Sequence, residues 1–231
     1  LAWGFAMLVL IAEKDLGSSF LYFALFTVMI WVSTQRLSYL IISFGLFICG
    51  ALISWRIFEH IQARVSIWHD PWSFRSGSGY QLVEAAIAMA NGGLIGTGLG
   101  SGEPNRIPEV ETDFIFAAIG EEMGLLGTVL VLSSFLLIIS SGLRIAIKSS
   151  DPFNKLLALG LTTLIGLQAL VIMGGVVRLL PLTGVTLPFV SYGGSSLLAN
   201  YILVALLLRL SDQVENSQSN KEKSIREMSN E

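Results

Sequence analysis

The sequence predicts an all-α fold, a polytopic bundle of membrane-spanning helices, and three observations carry that reading. Of its 231 residues, 53% are hydrophobic and only 13% charged, a balance too apolar for a water-soluble domain of this size. The mean hydropathy is +0.69, and the apolar residues gather into runs about 20 residues long, the length at which a helix crosses the hydrocarbon core. Carboxylates also stand at and inside the mouth of the longest run. An ionised side chain at such depth costs roughly 2.5–3.5 kcal/mol on insertion scales, so acids found there face a bundle interior or a wet cavity.

Taken in order, Leu1 opens within an apolar run without an initiator Met or a basic leader, so the chain reads as the C-terminal part of a longer protein. The expected spans are the end of one truncated helix at about 1–12 and five full helices at about 17–35, 37–55, 113–142, 156–179 and 187–209. They form a membrane domain over 1–210. Residues 211–231, rich in Ser, Asn, Glu and Lys, hold too little apolar surface to fold and are expected to form a disordered tail. Arg36 lies between the first two full spans, Arg144, Lys148 and Lys155 between the third and fourth, and Arg209, Lys221, Lys223 and Arg226 at or after the last. All fall on one side, which is therefore expected to be cytoplasmic, with segment 56–112 and the turn 180–186 outside. The net charge of -3 is spread along the chain with no basic patch, which argues against nucleic acid as partner. Cys49 is a lone cysteine; it excludes a disulfide framework and reads as core filler.

The outer segment 56–112 is too long for a mere connector. Trp68, Pro71, Trp72 and Phe74 make an aromatic patch suited to anchoring at the membrane interface. Residues 81–90 favour a short helix, stopped by Asn91, Gly92 and Gly93. The run GGLIGTGLGSG follows, with Gly96, Gly98 and Gly100 at its centre. It is no nucleotide loop, because no Gly-Lys-Ser/Thr opens a helix and no βαβ unit surrounds it. A hinge, or a close backbone approach to a ligand with N–H groups free for phosphate oxygens, remains open.

Residues 106–124, RIPEVETDFIFAAIGEEMG, carry the acids. Asp113 after Thr112 reads either as a helix cap or as a general base that the helix dipole keeps ionised by lowering its pKa. Arg106, Glu109 and Glu111 flank it. Glu121 lies about 12 Å deeper along a helix, and Gly120, Gly124 and Gly127 allow a neighbour to approach closely, so Glu121 and Glu122 are expected to be packed against polar partners between helices. In the block LPLTGVTLPFVSYGGSSLLAN, residues 180–200, prolines and a Gly-Gly pair interrupt a span, as backbone does where it lines a cavity. Ser191, Tyr192, Ser195, Ser196 and Asn200 form a polar stripe there, and Arg178 is a candidate phosphate partner. His60 and His69 have no ligand at useful spacing, so no metal site is expected.

The blocks IPEVETDFIFAAIGEEMGLLG and PLTGVTLPFVSYGGSSLLANYILVALLLRLS, with GGLIGTGLG and EKDLGSSF before them, resemble the SEDS family (shape, elongation, division and sporulation) of the RodA/FtsW type. The resemblance implies a ten-helix parent that polymerises lipid II into peptidoglycan strands in the bacterial cytoplasmic membrane, beside a class B penicillin-binding protein as transpeptidase. It implies Asp113 as catalytic carboxylate and Pro188, Ser191, Tyr192, Gly193, Gly194 and Ser195 as part of the family's PFxSYGGSS block. Two departures stand out: Glu111 where many members have His, and Glu84 where Gln is common. The extra charge of Glu111 raises the pKa of its neighbour or helps to hold a divalent cation, Mg or Mn. The missing N-terminal spans leave this piece, taken alone, expected to be inactive. A lipid II flippase and a non-catalytic scaffold of the cell-wall machinery are the alternatives, since broken helices and buried acids also occur in transporters.

Overall fold

The computed structural model describes residues 16–228, with side chains over 17–219; the truncated helix expected at 1–12 lies outside the described residues. These residues form seven α-helices: α1 Leu16–Thr34, α2 Leu37–Ile57, α3 Glu59–His69, α4 Tyr80–Gly92, α5 Ile115–Lys148, α6 Pro152–Val176 and α7 Gly194–Met228. Single 3-10 turns occupy Trp72–Phe74 and Pro104–Arg106. Five of the helices, α1, α2, α5, α6 and α7, are long and apolar enough to cross a membrane, and no strand occurs among the described residues.

α5 and α6 form the spine. They approach closely at Gly142, where a Cβ would stand 2.0 Å from Thr162 Oγ1, and bury Phe135, Ala146, Ala158, Ile165 and Ala169. α6 starts cleanly because Asp151 caps it, accepting from Asn154 N at 2.9 Å, with Pro152 in the first turn. α1 lies on α6, its Met29 against Gly160. α2 has no buried residue and meets α1 through Phe47, whose ring centroid lies 5.5 Å from Phe20 and 5.9 Å from Phe23.

Three elements differ from expectation. The last helix begins at Gly194 rather than near 187, because Pro188 and the Gly193–Gly194 pair keep 177–193 out of regular structure. It then runs on to Met228, so the expected disordered tail continues α7 as far as the described residues reach. No Gly or Pro follows Gly194, and Leu210 and Val214 are buried, which docks the start of the tail beside the α5–α6 turn. The outer segment holds an unexpected helix, α3, beside the expected α4.

The third difference is a break in α5. Gly124 has φ 65 and ψ -159, a conformation that only glycine adopts without strain. Such a break frees backbone groups that must be satisfied within the membrane. The glycine run after α4 supplies the partners: Thr97 N and Gly98 N donate to the carbonyls of Glu121 and Glu122 at 2.9 and 3.0 Å, while Leu125 N and Leu126 N donate to Gly93 and Leu94 at 2.9 and 3.3 Å. Here the glycines serve close backbone contact. A Cβ on Gly92 would stand 1.8 Å from Gly120 O, and one on Gly96 2.1 Å from Glu122 O. The run is thus clasped onto α5, and its backbone N–H groups at 97 and 98 are committed to that helix rather than free for phosphate. Gly120 does admit a close neighbour, namely α4 through Met89.

Candidate functional site

Asp113 stands two residues before α5, whose N-cap is Phe114 with no side-chain cap bond. It is therefore not a capping residue. It ends a turn in which Thr112 N, Thr112 Oγ1 and Asp113 N all donate to Glu109 O, at 3.2, 3.1 and 3.1 Å. Those bonds hold Glu109 at φ 53, a left-handed value costing roughly 1–2 kcal/mol, of the kind that clusters at functional sites.

Three other segments converge on this turn. Gly184 lies against the Asp113 carboxylate, where a Cβ would stand 3.8 Å from Oδ2. Tyr192 N donates to Glu111 O at 2.8 Å and so fastens the 187–193 segment to the acid block. Arg64 of α3 donates to Leu182 O at 3.3 Å and acts electrostatically on Asp113. The Asp113 carboxylate is half-buried, and its pKa is raised, first by desolvation and then by the charge of Glu109, while Arg64 and the Thr112 hydroxyl oppose the rise. The helix-dipole expectation of a lowered pKa is thus reversed, because the carboxylate precedes the helix and its desolvation outweighs the pull of Arg64 and Thr112.

The remaining expected site residues divide. Ser191 Oγ accepts from Leu187 N at 2.9 Å, Thr186 and Ser196 share a hydroxyl bond at 2.7 Å, and Asn200 Nδ2 donates to Ser196 Oγ at 3.3 Å. Much of the stripe therefore braces the break before α7, together with buried Pro188. Tyr192, Gly194 and Ser195 are exposed, and Gly193 is partly so. Arg106 pairs with Glu103 on the surface. Arg178, expected as a phosphate partner, instead donates through Nη2 to the carbonyls of Trp68 and His69 at 3.3 and 3.4 Å, and accepts from Trp68 Nε1 on its own carbonyl at 3.0 Å. It closes the C-terminal end of α3. Arg64, one turn earlier on that helix, is the cation that acts on the acid. Sequence reasoning missed it because only the aromatics of the segment were weighed; a basic residue four places before Trp68 was the available signal.

Glu121 is 5% exposed, and its Oε2 has no hydrogen-bond partner among the described residues. Gly102 of the preceding loop lies against its carboxylate carbon. No group of three His, Cys, Asp or Glu side chains that could hold a metal occurs among the described residues.

Comparison with known proteins adds a family. A model of the FtsW/RodA/SpoVE family, described as cell cycle protein, matches residues 1–216. The peptidoglycan glycosyltransferase RodA of Mycobacterium tuberculosis strain H37Rv is 49% identical over 210 residues, which cover 91% of this chain and 45% of the relative. The probable peptidoglycan glycosyltransferase FtsW of Geobacter sp. strain M18 is 36% identical over 218 residues, covering 93% and 59%. A solved chain, described under structural coordination of polymerization and crosslinking by a peptidoglycan synthase complex, superposes with TM-score 0.75 at 27% identity, over 90% of this chain and 59% of that one. The chain thus spans roughly half the length of the curated relatives it matches.

Proposed function

Because the chain belongs to the FtsW/RodA/SpoVE family of cell cycle proteins, we propose that the complete protein is a peptidoglycan glycosyltransferase. It polymerises lipid II into glycan strands at the outer face of the bacterial cytoplasmic membrane during elongation or division. Five spans long enough to cross a membrane make it a multi-pass membrane protein; the tail lies in the cytoplasm and segment 56–112 outside.

The observation that carries the reading is the half-buried Asp113 with its raised pKa, on a turn flanked by Arg64 and the 182–184 segment. In polymerisation the 4-hydroxyl of the lipid II GlcNAc attacks the anomeric carbon of the MurNAc that ends the strand. Asp113 takes the hydroxyl proton, and undecaprenyl diphosphate departs. A raised pKa brings a carboxylate nearer the operating pH, where a general base works best, and such a base contributes roughly 10²–10⁴-fold. Arg64 offsets charge on the departing diphosphate, the role the sequence had suggested for Arg178. A class B penicillin-binding protein crosslinks the strands, in keeping with the synthase complex that the chain resembles.

The test is strand polymerisation by the purified complete protein with its transpeptidase. Asp113→Asn is expected to fold normally and to lose about 10²-fold or more in turnover. Near wild-type polymerisation would refute the assignment of Asp113, and absence of polymerisation by the unsubstituted protein would favour a flippase or scaffold.

A further inference from the structure

The aromatic patch read from the sequence as a membrane anchor has a shape that anchoring does not require. Between His69 and α4 the chain folds into a tight knot. Phe74 N bonds Pro71 O at 3.1 Å, and Gly77 N and Gly79 N both bond Phe74 O at 3.0 Å. Ser73 bonds the Asp70 carboxylate and lowers its pKa. Pro71 is fully buried, and a Cβ on Gly79 would stand 2.6 Å from Pro71 O. The knot is therefore fixed in shape.

It opens onto a shallow groove of about 640 Å³, largely open to solvent and lined by Trp72, Ser73, Arg75, Ser76, Gly77 and Tyr80. Trp72 is 51% and Tyr80 37% exposed. Arg75 carries a side chain 58% exposed, steadied at 3.7 Å by the buried Glu84. A purely interfacial patch would present aromatic rings to the headgroup region. Here two rings border a shallow open groove that also holds two hydroxyls and a cation, the lining expected beside a ligand with apolar faces, a polar rim and a negative charge. A pyranose has that make-up: its C–H faces lie on exposed aromatic rings, its hydroxyls hydrogen-bond, and a carboxylate-bearing substituent pairs with a guanidinium. The groove is tied to the acid block: Gln81, next to Tyr80, donates to Pro108 O at 3.3 Å, and five residues of chain lead from there to Asp113, a reach of at most about 18 Å.

We propose that the groove between Trp72 and Tyr80, with Arg75 beside them, binds a carboxylate-bearing saccharide of the glycan strand that is extended at Asp113. This rests on the glycosyltransferase reading and deepens it by assigning a holding subsite for the strand. It also gives Glu84 a purpose: its carboxylate orients Arg75, which the more common Gln would do without charge.

The experiment uses the complete protein carrying Asp113→Asn, so that nothing turns over, and a lipid-free GlcNAc–MurNAc tetrasaccharide with its peptide stems as probe, with chitotetraose as the carboxylate-free control. Trp72→Ala is expected to weaken tetrasaccharide binding about tenfold or more, as loss of a buried aromatic anchor does, and Trp72→Phe to restore most of it. Arg75→Gln should weaken the tetrasaccharide but not chitotetraose. In the protein with Asp113 intact, Trp72→Ala should shorten the product strands. Binding unchanged within about twofold in Trp72→Ala and Tyr80→Ala, or a Trp72→Ala defect confined to partition into lipid vesicles, would overturn the subsite. Failure of the glycosyltransferase reading shows separately, as absence of polymerisation by the complete protein with Asp113 intact.

Discussion

Gly96→Ala in the complete protein should break the clasp between the glycine run and α5. Residue 96 has φ 90, and a Cβ there would stand 2.1 Å from Glu122 O and 2.7 Å from Gly124 N. Both neighbours are backbone, so neither can rotate away. Left-handed backbone costs a non-glycine residue roughly 1–2 kcal/mol. Pushing the run off α5 also releases the four bonds made by Thr97, Gly98, Leu125 and Leu126, each with a net worth of about 0.5–1.5 kcal/mol. The expected loss is therefore about 3–8 kcal/mol, against a typical total stability of about 5–15 kcal/mol. Gly100→Ala is the control: its φ is 73 but nothing lies within 4 Å of the added methyl, so only the backbone cost of about 1–2 kcal/mol applies. Thermal unfolding in mild detergent gives the stabilities, and hydrogen exchange at the four amides gives the mechanism. Equal destabilisation by the two variants, or four amides still protected in Gly96→Ala, would refute the clasp.

Three further outcomes follow from the site. Asp113 must be ionised to act as a base and its pKa is raised partly by Glu109 and opposed by Arg64, so the acid limb of the rate profile should move to lower pH in Glu109→Gln and to higher pH in Arg64→Gln; shifts of the same sign would contradict the electrostatics. Arg178→Gly keeps the φ 62 backbone but removes the guanidinium, and should raise hydrogen exchange across α3 with little change in KM for lipid II, whereas a raised KM with α3 protected would make Arg178 a substrate ligand after all. With Cys49 replaced, a cysteine at Ser76 should react with an impermeant thiol reagent on intact cells and one at Ser217 only after permeabilisation, and the reverse pattern would invert the topology.

What the sequence made legible follows from length and periodicity. Spans were visible because a membrane helix needs about 20 apolar residues. α3, EHIQARVSIWH, has 11 residues with Glu59 in its first turn and Arg64 at its centre and carries no such signal. The acid block was legible because carboxylates stand out against apolar surroundings. Its electrostatics were not, because the sign of the Asp113 shift depends on desolvation and on Arg64, 49 positions earlier in the chain. The glycine run showed that some backbone would come close, but its partner lies 24 residues on, at Glu121, and nothing local names it. Arg178 and Arg64 were told apart only by where α3 ends: the guanidinium nearest its last carbonyls was consumed by them. The tail misled because its polarity was weighed, whereas the burial of Leu210 and Val214 arises from the α5–α6 turn beside it.

The clasp also bears on catalysis. Gly98 N donates to Glu122 O at 3.0 Å, so residues 98–122 form a loop closed at its base by the broken helix, with Asp113 inside it. That loop is held at three further points: Gln81 on Pro108, Tyr192 on Glu111, and the triple contact on Glu109 O. A carboxylate fixed in this way takes its position from backbone bonds on two sides, not from a helix cap. Reacting groups must be held to within about 0.5 Å, and a shift of about 1 Å can cost 10²-fold in rate. If Asp113 is the base proposed above, the break in α5, remote from it along the helix, sets its geometry. A clasp variant that still folds at low temperature should lose kcat out of proportion to its loss of stability, while KM for lipid II stays near the wild-type value. Proportionate loss of both would mean that the clasp stabilises the fold without positioning the acid.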